Sequence, residues 1–117
     1  MSGLPVALVV EDSDDQAGLL RRYLERSGCD VVVAASGEKA LELLETVSPV
    51  LAIVDLILPG ISGEEFAEHL RRTHPDCLLA ITSVHDATRY PEADAVLPKP
   101  FTGAQVAAVA ERAIGSP

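Results

Sequence analysis

The sequence predicts an α/β fold, in which a doubly wound, five-stranded parallel sheet carries helices on both faces. Two patterns indicate it. Short aliphatic runs alternate along the chain with segments whose apolar residues recur at helical spacing. The runs also lack polar interruption, as expected for strands that are covered on both faces. The chain has 117 residues, the length of one domain, so we expect a single domain over residues 1–117 with its core within residues 5–114.

The five strands are predicted at the aliphatic runs Val6–Val10, Val31–Ala35, Val50–Val54, Cys77–Ile81 and Ala95–Leu97. Helices are predicted between or after them: from the N-cap Ser13 to Ser27, over Gly37–Val47, from the N-cap Ser62 to about His74, and from Thr102 onward. A hydrogen-bonding residue stands three positions after three of these N-caps, which predicts capping boxes for the pairs Ser13–Gln16, Ser62–Glu65 and Thr102–Gln105.

One segment breaks the alternation. Residues 83–94 have poor apolar spacing and contain Pro91. We expect at most a turn or two of helix there, because proline removes a backbone donor and interrupts a helix.

Composition excludes several classes of function. Nine Lys and Arg against eighteen Asp and Glu give a net charge of −9, which argues against nucleic acid or an anionic membrane as the main partner. No apolar run exceeds five residues, too few to span a bilayer, and the N-terminus lacks the pattern of a signal peptide. Cys29 and Cys77 form no disulfide framework or CxxC pair. We therefore expect a cytoplasmic protein with free thiols.

Polar residues follow four of the predicted strands, where ligands bind in open parallel sheets. Three carboxylates, a hydroxyl and an ammonium group would meet there: Glu11, Asp12, Asp55, Thr82 and Lys99. Clustered carboxylates repel one another, and Mg²⁺ would relieve that repulsion while binding a phosphate. The set therefore contains a nucleophile, a metal site, a cation and a hydrogen-bond donor, the parts needed for phosphoryl transfer to a carboxylate.

Each residue alone has a simpler explanation. Glu11 and Asp12 begin an acidic run that could complement a helix dipole, and Thr82 could merely end a strand. Lys99 could be an ordinary surface lysine, although it stands between Pro98 and Pro100. Asp55 is flanked by aliphatic residues on both sides, and an isolated buried acid is costly, which favours a function for it.

Four sequence motifs resemble those of the receiver domains of two-component response regulators, including the chemotaxis regulators. They are Val-Val-Glu-Asp at Val9–Asp12, Ile-Val-Asp-Leu-Ile-Leu-Pro-Gly-Ile-Ser-Gly at Ile53–Gly63, Ile-Thr-Ser at Ile81–Ser83 and Lys-Pro-Phe at Lys99–Phe101. The resemblance extends from Val6 to about Ile114. It implies the strand order 2-1-3-4-5.

The resemblance also implies a role for each residue at the strand ends. Asp55 corresponds to the phospho-acceptor, Thr82 to the switch hydroxyl, and Lys99 to the lysine that pairs with the acceptor and then with the phosphate. Glu11, Asp12, Asp55 and the backbone carbonyl of Ile57 correspond to the Mg²⁺ ligands. A cis peptide at Lys99–Pro100 is implied as well, as is a loop shaped by Pro59, Gly60 and Gly63. Leu56 and Ile57 lie beside the site, where we hypothesise that they control water access.

The function implied is that of a signalling switch. Asp55 would accept a phosphoryl group from a phosphohistidine on a sensor histidine kinase or a histidine phosphotransfer protein, shifting a conformational equilibrium. Output would follow through a downstream protein or an attached effector, with the domain a monomer or weak dimer. Such a domain is not an enzyme beyond catalysing its own phosphorylation and dephosphorylation.

Two departures from the family pattern affect the readout. Val96 stands three residues before the lysine, where the family usually has Tyr or Phe, so the usual aromatic switch cannot operate. The segment between Thr82 and Lys99 is also several residues shorter than usual, which predicts a truncated or disordered fourth helix of the family fold. Tyr90 is either a substitute switch or an exposed loop tyrosine.

Three other functions are compatible with an α/β domain of this kind, and the residues at the strand ends bear on each. A pseudo-receiver would keep the fold as a protein-interaction module without being phosphorylated, and Val96 and the short segment leave it open. A phosphatase of the haloacid dehalogenase type would require a second Asp two residues after the nucleophile, and Ile57 occupies that position after Asp55. A flavin-binding protein would want Ser, Thr and Gly after the first strand, where the run Glu11–Asp15 instead would repel a phosphate.

Overall fold

A computed structural model of the protein describes residues 3–83 and 93–115. The chain forms strands and helices in the order β1 (Val6–Val10), α1 (Asp14–Arg26), β2 (Asp30–Ala34), α2 (Gly37–Leu43), β3 (Leu51–Asp55), α3 (Gly63–Thr73), β4 (Leu78–Ser83), β5 (Ala95–Pro98) and α4 (Gly103–Ile114). The helix expected between β4 and β5, together with Tyr90, lies outside the described residues.

The five strands form one parallel sheet in the order β2-β1-β3-β4-β5. Both the fold class and the strand order are therefore confirmed. Because all the strands run in one direction, their carboxyl ends meet along a single edge of the sheet.

Helices cover both faces of the sheet, which explains the unbroken hydrophobic runs. Successive strand residues point to opposite faces, so Ala7 and Val9 pack with one core cluster while Leu8 and Val10 pack with the other. The first cluster receives buried residues from α1 and α4, and the second receives buried residues from α2 and α3, including the fully buried Phe66.

The second helix is shorter than predicted. It ends at Leu43 rather than at Val47, and a tighter turn follows, in which the N–H groups of Glu45 and Thr46 donate to the carbonyls three residues before them, those of Glu42 and Leu43. Pro49 restricts the backbone of Ser48 alone, so it limits how far the helix could extend, and the end at Leu43 itself reflects the change to hydrogen bonds that span three residues. The limits of the other strands and helices agree with the predictions to within one or two residues.

One of the three predicted capping boxes is complete. Thr102 and Gln105 make both reciprocal bonds at the start of α4. At the start of α1, Ser13 accepts a hydrogen bond from the Gln16 N–H, but its own N–H donates to a Glu11 carboxylate oxygen. The predicted Ser13–Gln16 box is therefore wrong in its second half, because a nearby acid takes the donor that Gln16 was expected to bind.

Both cysteines are free, as predicted, and the structure shows that both are buried. Among the helices described, none is long and apolar enough to cross a membrane.

Candidate functional site

The carboxyl edge of the sheet brings the predicted site residues together. Glu11 follows β1 directly, and its N–H donates to the Ala34 carbonyl at the end of β2 (3.0 Å). Asp55 ends β3 beside Thr82 of β4, its partner in the strand register. Lys99 follows β5. Four strands thus bring functional side chains to this edge, with Glu11 and Asp12 both following β1.

Lys99 joins two of the carboxylates. Its Nζ lies 2.8 Å from Asp55 Oδ2 and 3.0 Å from Glu11 Oε1. The lysine follows the edge strand and reaches back to β3 and β1, and its side chain is largely buried. The peptide bond between Lys99 and Pro100 is cis, as the sequence resemblance implied.

Each of these two carboxylates is held at both oxygens. The second oxygen of Asp55, Oδ1, accepts the Ile57 N–H at 3.0 Å, and the second oxygen of Glu11, Oε2, accepts the Ser13 N–H at 3.1 Å. The lysine therefore holds one side of each acid and a backbone amide holds the other. Both acids are consequently fixed in position. The entropy cost of ordering these side chains is therefore met before any reaction takes place.

The site carries more negative than positive charge. Burial raises the pKa of the Glu11 carboxyl and the charge of Asp55 adds to the rise, whereas the Ser13 N–H and Lys99 oppose it. Burial by itself would lower the pKa of Lys99, but its hydrogen bonds and attraction to Asp55 and Glu11 outweigh that effect and raise it. Lys99 is therefore an ammonium ion at neutral pH, and it pairs with two of the three acids of the cluster.

The same carboxylates can hold a metal ion. One oxygen from each of Glu11, Asp12 and Asp55 lies within 4.8 Å of those of the other two. Glu11 and Asp55 are buried and Asp12 is exposed, so the cluster opens to solvent on one side. A hard divalent cation such as Mg²⁺ prefers carboxylate oxygens and retains water ligands, and this donor set fits it.

Thr82 and Ile57 flank Asp55 in different ways. Thr82 is almost completely buried, and its carbonyl accepts the Leu56 N–H at 3.3 Å. Within residues 3–83 and 93–115, no hydrogen bond joins its hydroxyl to Asp55 or Lys99. The side chain of Ile57 is 62% exposed, so only its backbone is tied to the site.

The loop after Asp55 depends on close backbone approach at Gly63. A Cβ atom placed there would collide with the Asp55 carbonyl oxygen and lie 2.8 Å from the Leu56 Cα. The Gly63 N–H donates to the Leu56 carbonyl at 3.3 Å and closes the loop. Gly60, also in this loop, has a φ of 75°, which favours glycine.

Two groups that shape this region were not predicted from the sequence as part of the site. The Ser13 N–H was treated as part of a capping box, and Glu38 was not singled out at all. Glu38 Oε2 accepts the Ile61 N–H of the loop at 3.3 Å. A glycine pair, Gly37 and Gly60, was the available signal, since a Cβ atom at either position would collide with a side chain across this contact, that of Ile61 or of Glu38.

Val96, which replaces the usual aromatic residue, lies in β5 opposite Ile81 of β4. It is 38% exposed.

Comparison with known proteins identifies the family. Residues 7–111 match the family described as the response regulator receiver domain. The chain belongs to this family. It is a receiver domain of the kind found in two-component response regulators, and its acidic cluster and lysine occupy the carboxyl edge of the sheet.

Individual relatives agree with this assignment. The transcriptional regulatory protein AfsQ1 of Streptomyces coelicolor is 39% identical over 83 residues, which cover 71% of this chain and 37% of that protein. The chemotaxis response regulator CheY4 of Vibrio cholerae has the same fold, with a TM-score of 0.84, 21% identity, and coverage of 94% of this chain and 98% of that one.

A third relative carries a modified acid. A response regulator protein from Burkholderia pseudomallei, solved with a phosphorylated aspartic acid, a calcium ion and citrate, superposes with a TM-score of 0.82. It is 27% identical and the match covers 92% of this chain and 66% of that one. The chain spans 22–37% of the length of the first curated relatives that it matches.

Proposed function

We propose that Asp55 accepts a phosphoryl group from a phosphohistidine on a sensor histidine kinase or a histidine phosphotransfer protein. Phosphorylation then changes how the domain binds a downstream protein or an attached effector. The observation that carries this proposal is the Lys99 ammonium, bonded to both Asp55 and Glu11 inside an acidic cluster. An ion pair that served only stability would need one acid. Two buried acids with a third nearby add desolvation and repulsion that a single lysine does not fully offset.

The reaction needs little from the protein beyond position and charge. A carboxylate oxygen of Asp55 attacks phosphorus, the bond between phosphorus and the histidine nitrogen breaks, and the imidazole leaves with the electron pair and takes up a proton. Lys99 holds Asp55 in place beforehand. The same ammonium then offsets the negative charge of the acyl phosphate, and the hydroxyl of Thr82 on the neighbouring strand donates to a phosphoryl oxygen.

Glu11, Asp12, Asp55 and the backbone carbonyl of Ile57 are the residues that would hold Mg²⁺. When bound, Mg²⁺ neutralises part of the charge on the phosphoryl oxygens. Glu11 and Asp55 are already fixed by Lys99 and by backbone amides, so little further ordering of these side chains is required.

The relatives support the same chemistry. The Burkholderia pseudomallei protein has a phosphorylated aspartic acid in its structure, and a curated relative is a transcriptional regulatory protein. By this proposal residues 1–117 act as one cytoplasmic receiver domain with a core over residues 5–114. It is a monomer or weak dimer that contacts proteins rather than nucleic acid, and its catalysis is limited to its own phosphorylation and dephosphorylation.

The second candidate is a pseudo-receiver that binds a partner without being phosphorylated. Val96 favours it, because the family's usual aromatic coupling to the switch hydroxyl cannot form at that position.

Intact-mass spectrometry separates the two candidates. The wild type and Asp55→Asn are incubated with Mg²⁺ and a small phosphoryl donor, acetyl phosphate or phosphoramidate, with a parallel set in EDTA. The proposal expects one phosphoryl group on the wild type only, and none when EDTA is present. Equal labelling of Asp55→Asn would place the modification elsewhere.

Absence of labelling with both donors requires one further measurement, because some small donors react slowly. Amide NMR with Mg²⁺ and beryllofluoride reports whether the site binds a phosphoryl mimic. Unchanged shifts around Asp55 and Thr82 would then establish the pseudo-receiver as the better description.

A further inference from the structure

Among the residues that the structure describes, one side chain of α2 holds the loop after Asp55 from outside. Glu38 lies in the first turn of that helix, 23 residues before Ile61 in the chain, and its Oε2 accepts the Ile61 N–H at 3.3 Å. The other hydrogen bonds of this loop come from its own ends or from the neighbouring strand: Ile57 to Asp55, Gly63 to Leu56, and Leu56 to Thr82.

The backbones of α2 and the loop are shaped to allow this contact. A Cβ atom on Gly60 would collide with the Glu38 carboxylate, and a Cβ atom on Gly37 would collide with the Ile61 side chain. Glycine at both positions therefore lets the start of α2 lie directly against the loop. Because the two contacts are adjacent, Glu38 and Ile61 form one fixed point between the helix and the loop.

This fixed point matters because, within residues 3–83 and 93–115, the loop has few other contacts that hold it. Ile57 is mostly exposed and so gains little from packing. Leu58 and Ile61 are only partly buried against the core. The position of the Ile57 backbone beside Asp55 therefore depends on the hydrogen bonds at the two ends of the loop and on the bond to Glu38.

We propose that Glu38 is a positioning residue for the metal-binding loop, holding residues 57–61 so that the Ile57 backbone faces the acidic cluster. This inference rests on the proposed function for its metal ligand, the Ile57 carbonyl. Its geometric part, that Glu38 fixes the loop, is independent of any metal.

The simplest competing role for Glu38 is structural. An acid in the first turn of a helix complements the helix dipole, and Ser36 already caps α2 by accepting the Lys39 N–H. A purely structural Glu38 would change the melting temperature when replaced, but would leave the loop and the metal affinity unchanged.

Three variants separate these roles. Glu38→Ala removes the acceptor and the charge, Glu38→Gln removes the charge but retains an acceptor oxygen, and Glu42→Ala removes an exposed acid of the same helix whose ion-pair partner is Lys39. All three variants remove one negative charge, so an effect of charge alone on the loop or on Mg²⁺ binding would appear in all of them. Loss of the hydrogen bond that positions the loop would appear in Glu38→Ala alone.

The measurements are a Mg²⁺ titration followed by amide NMR and amide hydrogen exchange of the metal-free protein. For Glu38→Ala we expect Mg²⁺ affinity to fall about threefold to tenfold, the range that loss of one hydrogen bond allows. Exchange at Ile61 and Ile57 should quicken by a similar factor. Glu38→Gln should recover most of both losses, and Glu42→Ala should match the wild type.

Two results would overturn the proposal. One is wild-type exchange and wild-type chemical shifts at Ile57 and Ile61 in Glu38→Ala, and the other is an equal loss of affinity in Glu38→Ala and Glu42→Ala. If the wild type itself bound no Mg²⁺, the metal site would fail, and the exchange rates of the metal-free proteins would still decide whether Glu38 fixes the loop.

Discussion

Replacing Lys99 by methionine tests whether the acidic cluster depends on its one internal cation. Methionine keeps most of the aliphatic stem and removes the ammonium group, so the change isolates the two bonds to Asp55 and Glu11. These are the shortest ion pairs of the described site, at 2.8 and 3.0 Å. Two buried acids would be left with their backbone amides alone.

The expected loss of stability follows from those two bonds. A hydrogen bond with a charged partner contributes about 1.5–3 kcal/mol, but removing the ammonium also removes the cost of burying it. Together with the partial exposure of Lys99, this gives a net loss of about 2–3 kcal/mol in the metal-free protein at pH 7. For a chain of this length the melting temperature should fall by about 8–12 °C.

Urea unfolding followed by far-UV circular dichroism measures this loss, since the chain has no tryptophan to serve as a fluorescent probe. The matched control is Lys39→Met, because Lys39 is the other lysine of the chain and makes only an exposed ion pair with Glu42 at 3.5 Å. That change should cost less than about 0.5 kcal/mol. A Lys99→Met protein as stable as Lys39→Met in EDTA would refute the reasoning.

Three further predictions concern packing and chemistry. Gly63→Ala should destabilise the protein by about 2 kcal/mol or more, because the added Cβ would collide with backbone atoms. Gly18→Ala places its Cβ in open space on α1 and should stabilise the protein by about 0.5–1 kcal/mol. Equal urea midpoints for the two variants would contradict this prediction. Phe66→Ala should cost about 3–5 kcal/mol, because Phe66 is fully buried; a urea midpoint close to that of the wild type would argue against its place in the core. Burial raises the pKa of Cys77 to about 12 and also raises that of Cys29. A thiol reagent at pH 8 should therefore label neither cysteine until the chain unfolds. Rapid labelling of the native protein would show that these thiols are accessible.

The strands were predictable because the sequence carries a simple hydrophobic signal, whereas their order was implied only by the resemblance to receiver domains. Each strand is an uninterrupted aliphatic run, and that pattern arises whenever both faces of a strand are covered. The end of α2 was less predictable. Leu44 and Val47 continue the helical spacing of apolar residues, but the backbone after Leu43 has already changed to hydrogen bonds that span three residues. Hydrophobic spacing indicates which residues are buried, but it does not indicate where the backbone hydrogen bonds change.

The site was predictable in its composition but not in its bonding. Asp55, Thr82 and Lys99 were identified from their places after strands, a rule that needs only the topology. That Lys99 would bind Glu11 as well as Asp55 depends on side-chain reach across two strands, which no local pattern contains. The contact between Glu38 and the loop is harder still, because the glutamate carries the same local signal as any acid in the first turn of a helix.

The bond between Lys99 and Glu11 joins residues 88 positions apart, and this has a consequence for folding. A partly folded metal-free state in which β1 and β3 have paired but the edge strand β5 has not docked brings Glu11, Asp12 and Asp55 together without Lys99. In that state the centre of the sheet carries a cost in charge repulsion that arrival of Lys99 reduces. Docking of β5 therefore completes the electrostatic balance of the sheet, and it links formation of the site to arrival of the most distant part of the sequence.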